Sequence, residues 1–230
     1  MKILLVTTSK LEWTPLEDGL MVDSFSQNKN DHKITEDIQI SHLICGWGIA
    51  NITYQLTQKL NFESYDMVIN AGIVTGINTQ LPVGSVVNVR EQQFANMIAN
   101  CNGDIKNLMD SGYVDGNVFP FSDGVLKNPS PSFEELFPGV KGVTNDLILQ
   151  SEYLCDKWYA QYNPDVESSE GAAVFWVCLQ QGIPFLEIKA IANHRNNDKS
   201  WDIPYALENL KSKLEIVFSF IDNAIDVPKT

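Results

Sequence analysis

Apolar runs at 3–6, 38–45, 66–71, 85–89, 140–144 and 184–192 are continuous rather than alternating, the pattern of strands buried on both faces. Helical spacing appears between them. Ile49, Ile52, Leu56 and Leu60 recur on one face, and 171–181 is almost wholly small or apolar until Gly182-Ile183-Pro184 stops it. Near the C-terminus Asp202 stands as N-cap, Pro204 in the first turn, and Leu207, Leu210, Leu214, Phe218 and Ile221 on one side. Strands alternating with helices predict an α/β fold: a three-layer sandwich in which a central mixed, mostly parallel, twisted sheet is flanked by helices. In such folds ligands gather at the carboxyl ends of the strands. The polar stretch 96–137 reads as long loops rather than a linker, so 1–230 is expected to be a single domain.

Charge narrows the partners. Sixteen basic residues against 29 acidic give a net charge of -13, which repels nucleic acid and anionic membrane and leaves a small molecule as the expected partner. Only two arginines occur, Arg90 and Arg195, so few sites could clamp a free phosphate. Cys45, Cys101, Cys155 and Cys178 show no paired spacing and read as reduced and structural. His32, His42 and His194 lack metal-ligand spacing; no metal and no cofactor is expected. The opening run Ile3-Leu4-Leu5-Val6 is too short for a signal peptide and no stretch could span a bilayer, so the expected location is the cytoplasm.

Four places could carry chemistry. Gly46-Trp47-Gly48 follows a strand and opens a helix, either as a plain turn or as a close backbone approach to a ligand. Asn70-Ala71-Gly72-Ile73-Val74-Thr75-Gly76 offers bare backbone and a hydroxyl, although a structural turn explains its glycines equally well. Glu170 precedes Gly171-Ala172-Ala173 at the mouth of a buried helix, where its carboxylate could cap the helix or accept hydrogen bonds from the two hydroxyls of a ribose. Asn193 sits where the strand before it gives way to a polar turn. Trp47, Trp176 and Trp201 read as core or turn packing rather than base-stacking platforms.

Taken in order, Glu12 after the first strand, the two glycine turns, Phe119-Pro120-Phe121 with Gly124-Val125-Leu126-Lys127-Asn128-Pro129, and Glu170-Gly171-Ala172-Ala173 resemble the purine nucleosidase and nucleoside phosphorylase family. The stretch Trp201-Asp202-Ile203-Pro204-Tyr205-Ala206-Leu207-Glu208-Asn209-Leu210 resembles the futalosine hydrolases within it. This resemblance implies a nucleoside phosphorylase-like fold, a homodimer or larger homo-oligomer, and cleavage of the N-glycosidic bond of a purine nucleoside. It implies that Glu12 activates water and Asn193 assists the leaving base, while Glu170, Ser169, Gly72, Thr75 and Asn70 line the substrate site. Asparagine at 193, where adenine-specific relatives carry aspartate, offers donors to O6 and N7 of a 6-oxopurine and implies that hypoxanthine leaves. Asn70 stands where many bacterial phosphorylases have an arginine, which favours water over phosphate; Arg90, at the end of the next strand, is the remaining cation for that pocket unless it pairs with Glu91 or lies at the surface. Ser169 replaces the family's usual methionine beside the ribose. Ile98 and Asn100 depart from the futalosine hydrolase pattern. Other readings are a 5'-methylthioadenosine/S-adenosylhomocysteine nucleosidase, a purine nucleoside phosphorylase, and a nucleoside-binding protein without catalysis.

Overall fold

The structure, a computed structural model, describes residues 1–17, 31–33, 38–101, 104–130, 136–146, 152–195 and 201–225. In chain order the elements are β1 Lys2–Thr7, α1 Lys10–Glu17, β2 Asp31–Lys33, β3 Gln39–Ile44, α2 Ile49–Phe62, β4 Met67–Gly76, β5 Val86–Phe94, β6 Ile98–Cys101, β7 Asp104–Asn107, β8 Leu126–Lys127, β9 Gly139–Thr144, α3 Glu152–Tyr162, β10 Val166–Ser168, α4 Gly171–Gln181, β11 Phe185–His194 and α5 Ile203–Ile225.

Each of the six apolar runs became a strand, and β4, β5 and β11 run several residues beyond them. The three helices expected from periodicity are α2, α4 and α5, and Asp202 accepts the Tyr205 backbone N–H at 3.3 Å at the start of α5. Among the described residues the main sheet has the order β10-β9-β5-β11-β4-β1-β3-β2, with β8 on β5. Parallel pairs join β1 to β3 and β4, β11 to β4, and β9 to β5 and β10; the pairs β10–β4, β11–β5, β2–β3 and β5–β8 are antiparallel.

One feature departs from the expected three-layer sandwich. Strand β10 pairs with β4 as well as with β9, so β4, β11, β5, β9 and β10 close into a barrel-like ring, from which β1, β3 and β2 extend. Closure needs strongly coiled strands. Bulges between Ile191 and Asn193 in β11 and between Val89 and Glu91 in β5 supply the bend. Where the ring shuts, Gly76 and Gly142 both pair with Val166; a side chain at Gly76 would meet the His194 ring at 2.8 Å, and one at Gly142 would meet Gln92 Nε2 at 2.6 Å.

Helices cover both faces. Trp13 and Leu16 of α1 pack with Leu207, Leu210, Leu214 and Phe218 of α5 on one side, while Ile52 and Leu56 of α2 pack with Val174, Phe175 and Cys178 of α4 on the other. A smaller cluster sets Trp158, Tyr159 and Tyr162 of α3 against Ala95 and Val143. The stretch 96–137 is not loop throughout, since β6 and β7 form a hairpin and β8 joins the sheet. Trp176 is partly buried against the core as expected, whereas Trp47 and Trp201 are 59% and 52% exposed. Cys45 and Cys178 are buried free thiols. No helix among the described residues is long and apolar enough to cross a membrane.

Candidate active site

Glu12 lies in the first turn of α1 and is 3% exposed, not in a solvated loop. Its Oε2 accepts the Thr8 backbone N–H at 2.8 Å and the Thr8 hydroxyl, and its Oε1 accepts the Ile73 backbone N–H at 3.0 Å. A carboxylate has about four lone-pair positions, so these three donors leave one open on Oε1. Gly72 makes this placement possible. A Cβ there would lie 2.5 Å from Glu12 Oε1 and 3.2 Å from Lys189 Nζ, so the acid and the ammonium flank the bare glycine backbone.

Lys189 is a residue that the sequence reading missed. It is completely buried, pairs with Glu170 Oε1 at 2.6 Å, and donates to Asn70 Oδ1 at 3.1 Å. Burial pulls its ammonium down, but Glu170, Glu187 and Glu12 outweigh this and the net shift is upward, so it is charged. Glu170 sits at the N-cap of α4 without a side-chain bond to the helix. Its Oε2 instead accepts the Ser169 backbone N–H at 3.0 Å and the Ser169 hydroxyl at 2.8 Å. Ser169 thus gives Glu170 a hydrogen bond that methionine could not, and one position on Oε1 is left for a ligand hydroxyl.

Asn70 is fully buried. It bridges Lys189 to Glu187, donating from Nδ2 to Glu187 Oε1 at 3.1 Å. Glu187, also missed from sequence, is fully buried and accepts Gln92 Nε2 at 2.9 Å. Burial pushes its carboxyl up to about 7, against the downward pull of Lys189 and of the Gln92 and Asn70 amides. The thiol of Cys45 is pushed up to about 12, first by burial and then by the Glu170 charge, with Lys189 opposing, and is neutral.

Asn193 and Thr75 are paired neighbours on β11 and β4, at the bulge. Lys189 pairs with Gly72 on the same two strands, so at the usual strand rise of ~3.3 Å per residue the Asn193–Thr75 pair lies about 10 Å further along. Asn193 is 3% exposed, and its Oδ1 has no partner among the described residues. The structure therefore gathers Glu12, Gly72, Asn70, Glu170 and Ser169 around Lys189, with Thr75 and Asn193 beyond them toward the strand ends. Two candidates fall elsewhere. Arg90 donates from Nη2 to the carbonyls of Asn128 and Ser130 at 2.9 and 2.7 Å, which ties down a loop. At the first glycine turn the leading N–H of α2, from Ile49, is taken by both Asp146 oxygens at 3.2 Å. Ile98 lies in β6, and the side chain of Asn100 is outside the described set.

No family model matches the chain. In sequence it is 25% identical over 164 residues to a 5'-methylthioadenosine/S-adenosylhomocysteine nucleosidase of Shewanella halifaxensis, covering 67% of this chain and 69% of that one. Among solved structures, that of the same-named nucleosidase of Campylobacter jejuni superposes with a TM-score of 0.75 at 17% identity, covering 97% of this chain and 99% of that one. The chain has the nucleosidase fold. A futalosine hydrolase of Helicobacter pylori matches with a TM-score of 0.74 at 14% identity, over 95% and 97% of the two chains. Relatives by sequence and neighbours by fold are thus enzymes named as nucleosidases or futalosine hydrolases, which bears out the resemblance at the level of the fold and of N-glycosyl hydrolases as a group.

Proposed function

We propose that this chain hydrolyses the N-glycosidic bond of a purine nucleoside, with water as the nucleophile. The observation that carries the reading is the pair of buried carboxylates, Glu12 and Glu170, held about one buried ammonium beside the bare backbone of Gly72. The open position on Glu12 Oε1 accepts a proton from water as it attacks the anomeric carbon, a general-base contribution of ~10²–10⁴-fold. The open position on Glu170 Oε1 accepts a ribose hydroxyl, a contact that strengthens as positive charge develops on the sugar. Three carboxylates against one ammonium give this site the sign that an oxocarbenium-like transition state requires. Among the described residues both arginines are engaged elsewhere, Arg90 with the carbonyls of Asn128 and Ser130 and Arg195 with Tyr159 and Glu167, which argues against a phosphate clamp at the cluster.

For the finer assignment we infer futalosine as substrate and hypoxanthine as product. Asn193 supports it: its amide oxygen and nitrogen exchange places by a half-turn, which would bring its donors to the position now unpartnered, facing O6 and N7 of a 6-oxopurine. The second reading is a 5'-methylthioadenosine/S-adenosylhomocysteine nucleosidase, favoured by the sequence relatives of that name. The family resemblance adds a homodimer or larger to this reading, and the sequence reading adds the cytoplasm as its location. Release of free base from futalosine, inosine, methylthioadenosine and adenosylhomocysteine, with and without phosphate, tests the reading on wild type and Glu12→Gln. Phosphate-independent release of hypoxanthine from futalosine, lost in the variant, is expected. Faster release of adenine from methylthioadenosine replaces it with the second reading; a demand for phosphate makes the chain a phosphorylase; tight binding without cleavage, unchanged in Glu12→Gln, makes it a binder.

A further inference from the structure

Glu187 is a fully buried acid to which the reaction above gives a share of the site's charge but no contact of its own. Both of its oxygens receive amide hydrogens, from Asn70 at 3.1 Å and from Gln92 at 2.9 Å, and the direction of both bonds is fixed by what lies behind each amide. An ammonium only donates, so Asn70 must turn its oxygen to Lys189 and its nitrogen to Glu187. On the other side the Thr144 hydroxyl accepts the Ala172 backbone N–H at 2.7 Å and donates to Gln92 Oε1 at 3.2 Å, which turns the Gln92 nitrogen to Glu187. A Cβ on Gly171 would lie 2.0 Å from Gln92 Nε2 and 2.5 Å from Glu187 Oε1, so this acid lies directly beneath the first turn of α4, next to Glu170.

We propose that Glu187 is a positioning residue for nucleoside cleavage: as a carboxylate it locks the Asn70 amide, which aims the Lys189 ammonium at Glu170 and so fixes the group that takes the ribose hydroxyl. This rests on the hydrolase reading of the site. The charged groups acting on it are Lys189 on its own strand and Glu170 at α4, with the neutral amides of Asn70 on β4 and Gln92 on β5 in contact; Glu12 on α1 acts on Lys189, and Cys45 after β3 is coupled to Glu170 and Lys189. Two donors on two oxygens favour the ionised acid, while burial without direct contact to the ammonium favours the protonated one. That balance places its titration near neutrality, at about 7. A proton on Glu187 removes charge from the Lys189 cluster and competes for the Asn70 contact, so the ionised form is the active one.

The experiment is kcat/KM for the released base between pH 5 and 9 in wild type, Glu187→Gln, and the exchange pair Glu187→Gln with Gln92→Glu, which returns a carboxylate to the same contact. Alongside it, the ¹⁵Nζ resonance of Lys189 is followed in the ligand-free proteins over the same range. Wild-type activity is expected to rise to a plateau through about pH 7. In Glu187→Gln that inflection disappears and kcat/KM at pH 8 falls roughly ten- to a hundred-fold, with partial recovery in the exchange pair. The Lys189 resonance should titrate with Glu187 in wild type and lose that step in Glu187→Gln. An unchanged inflection in the variant, or a Lys189 resonance indifferent to residue 187, overturns the proposal. If no nucleoside is cleaved, the hydrolase reading fails by itself and the Lys189 resonance alone decides whether Glu187 governs the ammonium.

Discussion

Replacing Lys189 with methionine keeps the length of the side chain and removes the one cation that the described residues place among three buried carboxylates. The ion pair to Glu170 spans 2.6 Å at 0% and 3% exposure, so no water stands ready to screen what is left. Breaking such a pair from one side costs about 3–5 kcal/mol. In a chain of this size each kcal/mol moves the melting temperature by about 2–4 °C, which gives a fall of roughly 6–20 °C. The effect carries a pH signature. Lys189 is the largest influence holding Glu187 down, so without it Glu187 titrates above about 7. A carboxyl raised in the folded state costs stability increasingly as pH rises from its unfolded value through its folded one, so the deficit is larger at pH 8.5 than at pH 5.5. Thermal melts of wild type, Lys189→Met and Lys189→Arg at both pH values measure it, arginine restoring most of the loss. A methionine variant that melts within about 2 °C of wild type at both would refute the view that this ammonium neutralises the site.

Gly72→Ala is expected to leave the chain folded but lower base release on the order of 10²-fold, since the new Cβ would sit 2.5 Å from Glu12 Oε1; circular dichroism and turnover on one sample separate the two effects. Glu187→Gln should gain stability relative to wild type as pH rises from 4.5 to about 7, by up to about 3 kcal/mol, because the native acid is held above its ordinary value there. Urea melts across that range check it, and a constant difference rejects a buried acid titrating near neutrality. Asn193→Asp should shift preference from 6-oxopurine toward 6-aminopurine nucleosides by about tenfold or more, as one buried donor becomes an acceptor. Competition between inosine and adenosine reads this, with an unchanged ratio counting against Asn193 as the base contact.

Six strands, β1, β3, β4, β5, β9 and β11, and the helices α2, α4 and α5 were legible because long apolar runs and helical periodicity are local signals. α1 was not: it is eight residues long, carries Pro15 inside, and contributes only Glu12, Trp13 and Leu16 to the interior. The strand β10, which shuts the ring, is three residues long and holds no run to notice. From the residues alone, candidates stood out where a polar side chain bordered an apolar run, as with Glu170 and Asn193, whereas Glu12 came from the family resemblance. Lys189 and Glu187 were passed over inside the run at 184–192, although two charges within a strand buried on both faces cannot stand without partners. That mismatch was the available signal. The direction of the Asn70 amide could not be read, because it depends on partners 117 and 119 residues away.

Ring closure also orders events during synthesis. Strand β4 must wait for β10 and β11, which follow it by roughly a hundred residues, and Glu12 and Asn70 meet Lys189 only when β11 has been made. Until then a nascent chain displays the side of β4 that β11 will cover, and holds Glu12 and Glu170 with no counter-charge. Pairings this distant in sequence are slow to form. The candidate active site is therefore among the last parts of the molecule to assemble on the ribosome, and a chain interrupted before β11 would hold Glu12 and Glu170 without the lysine that makes them compatible with burial.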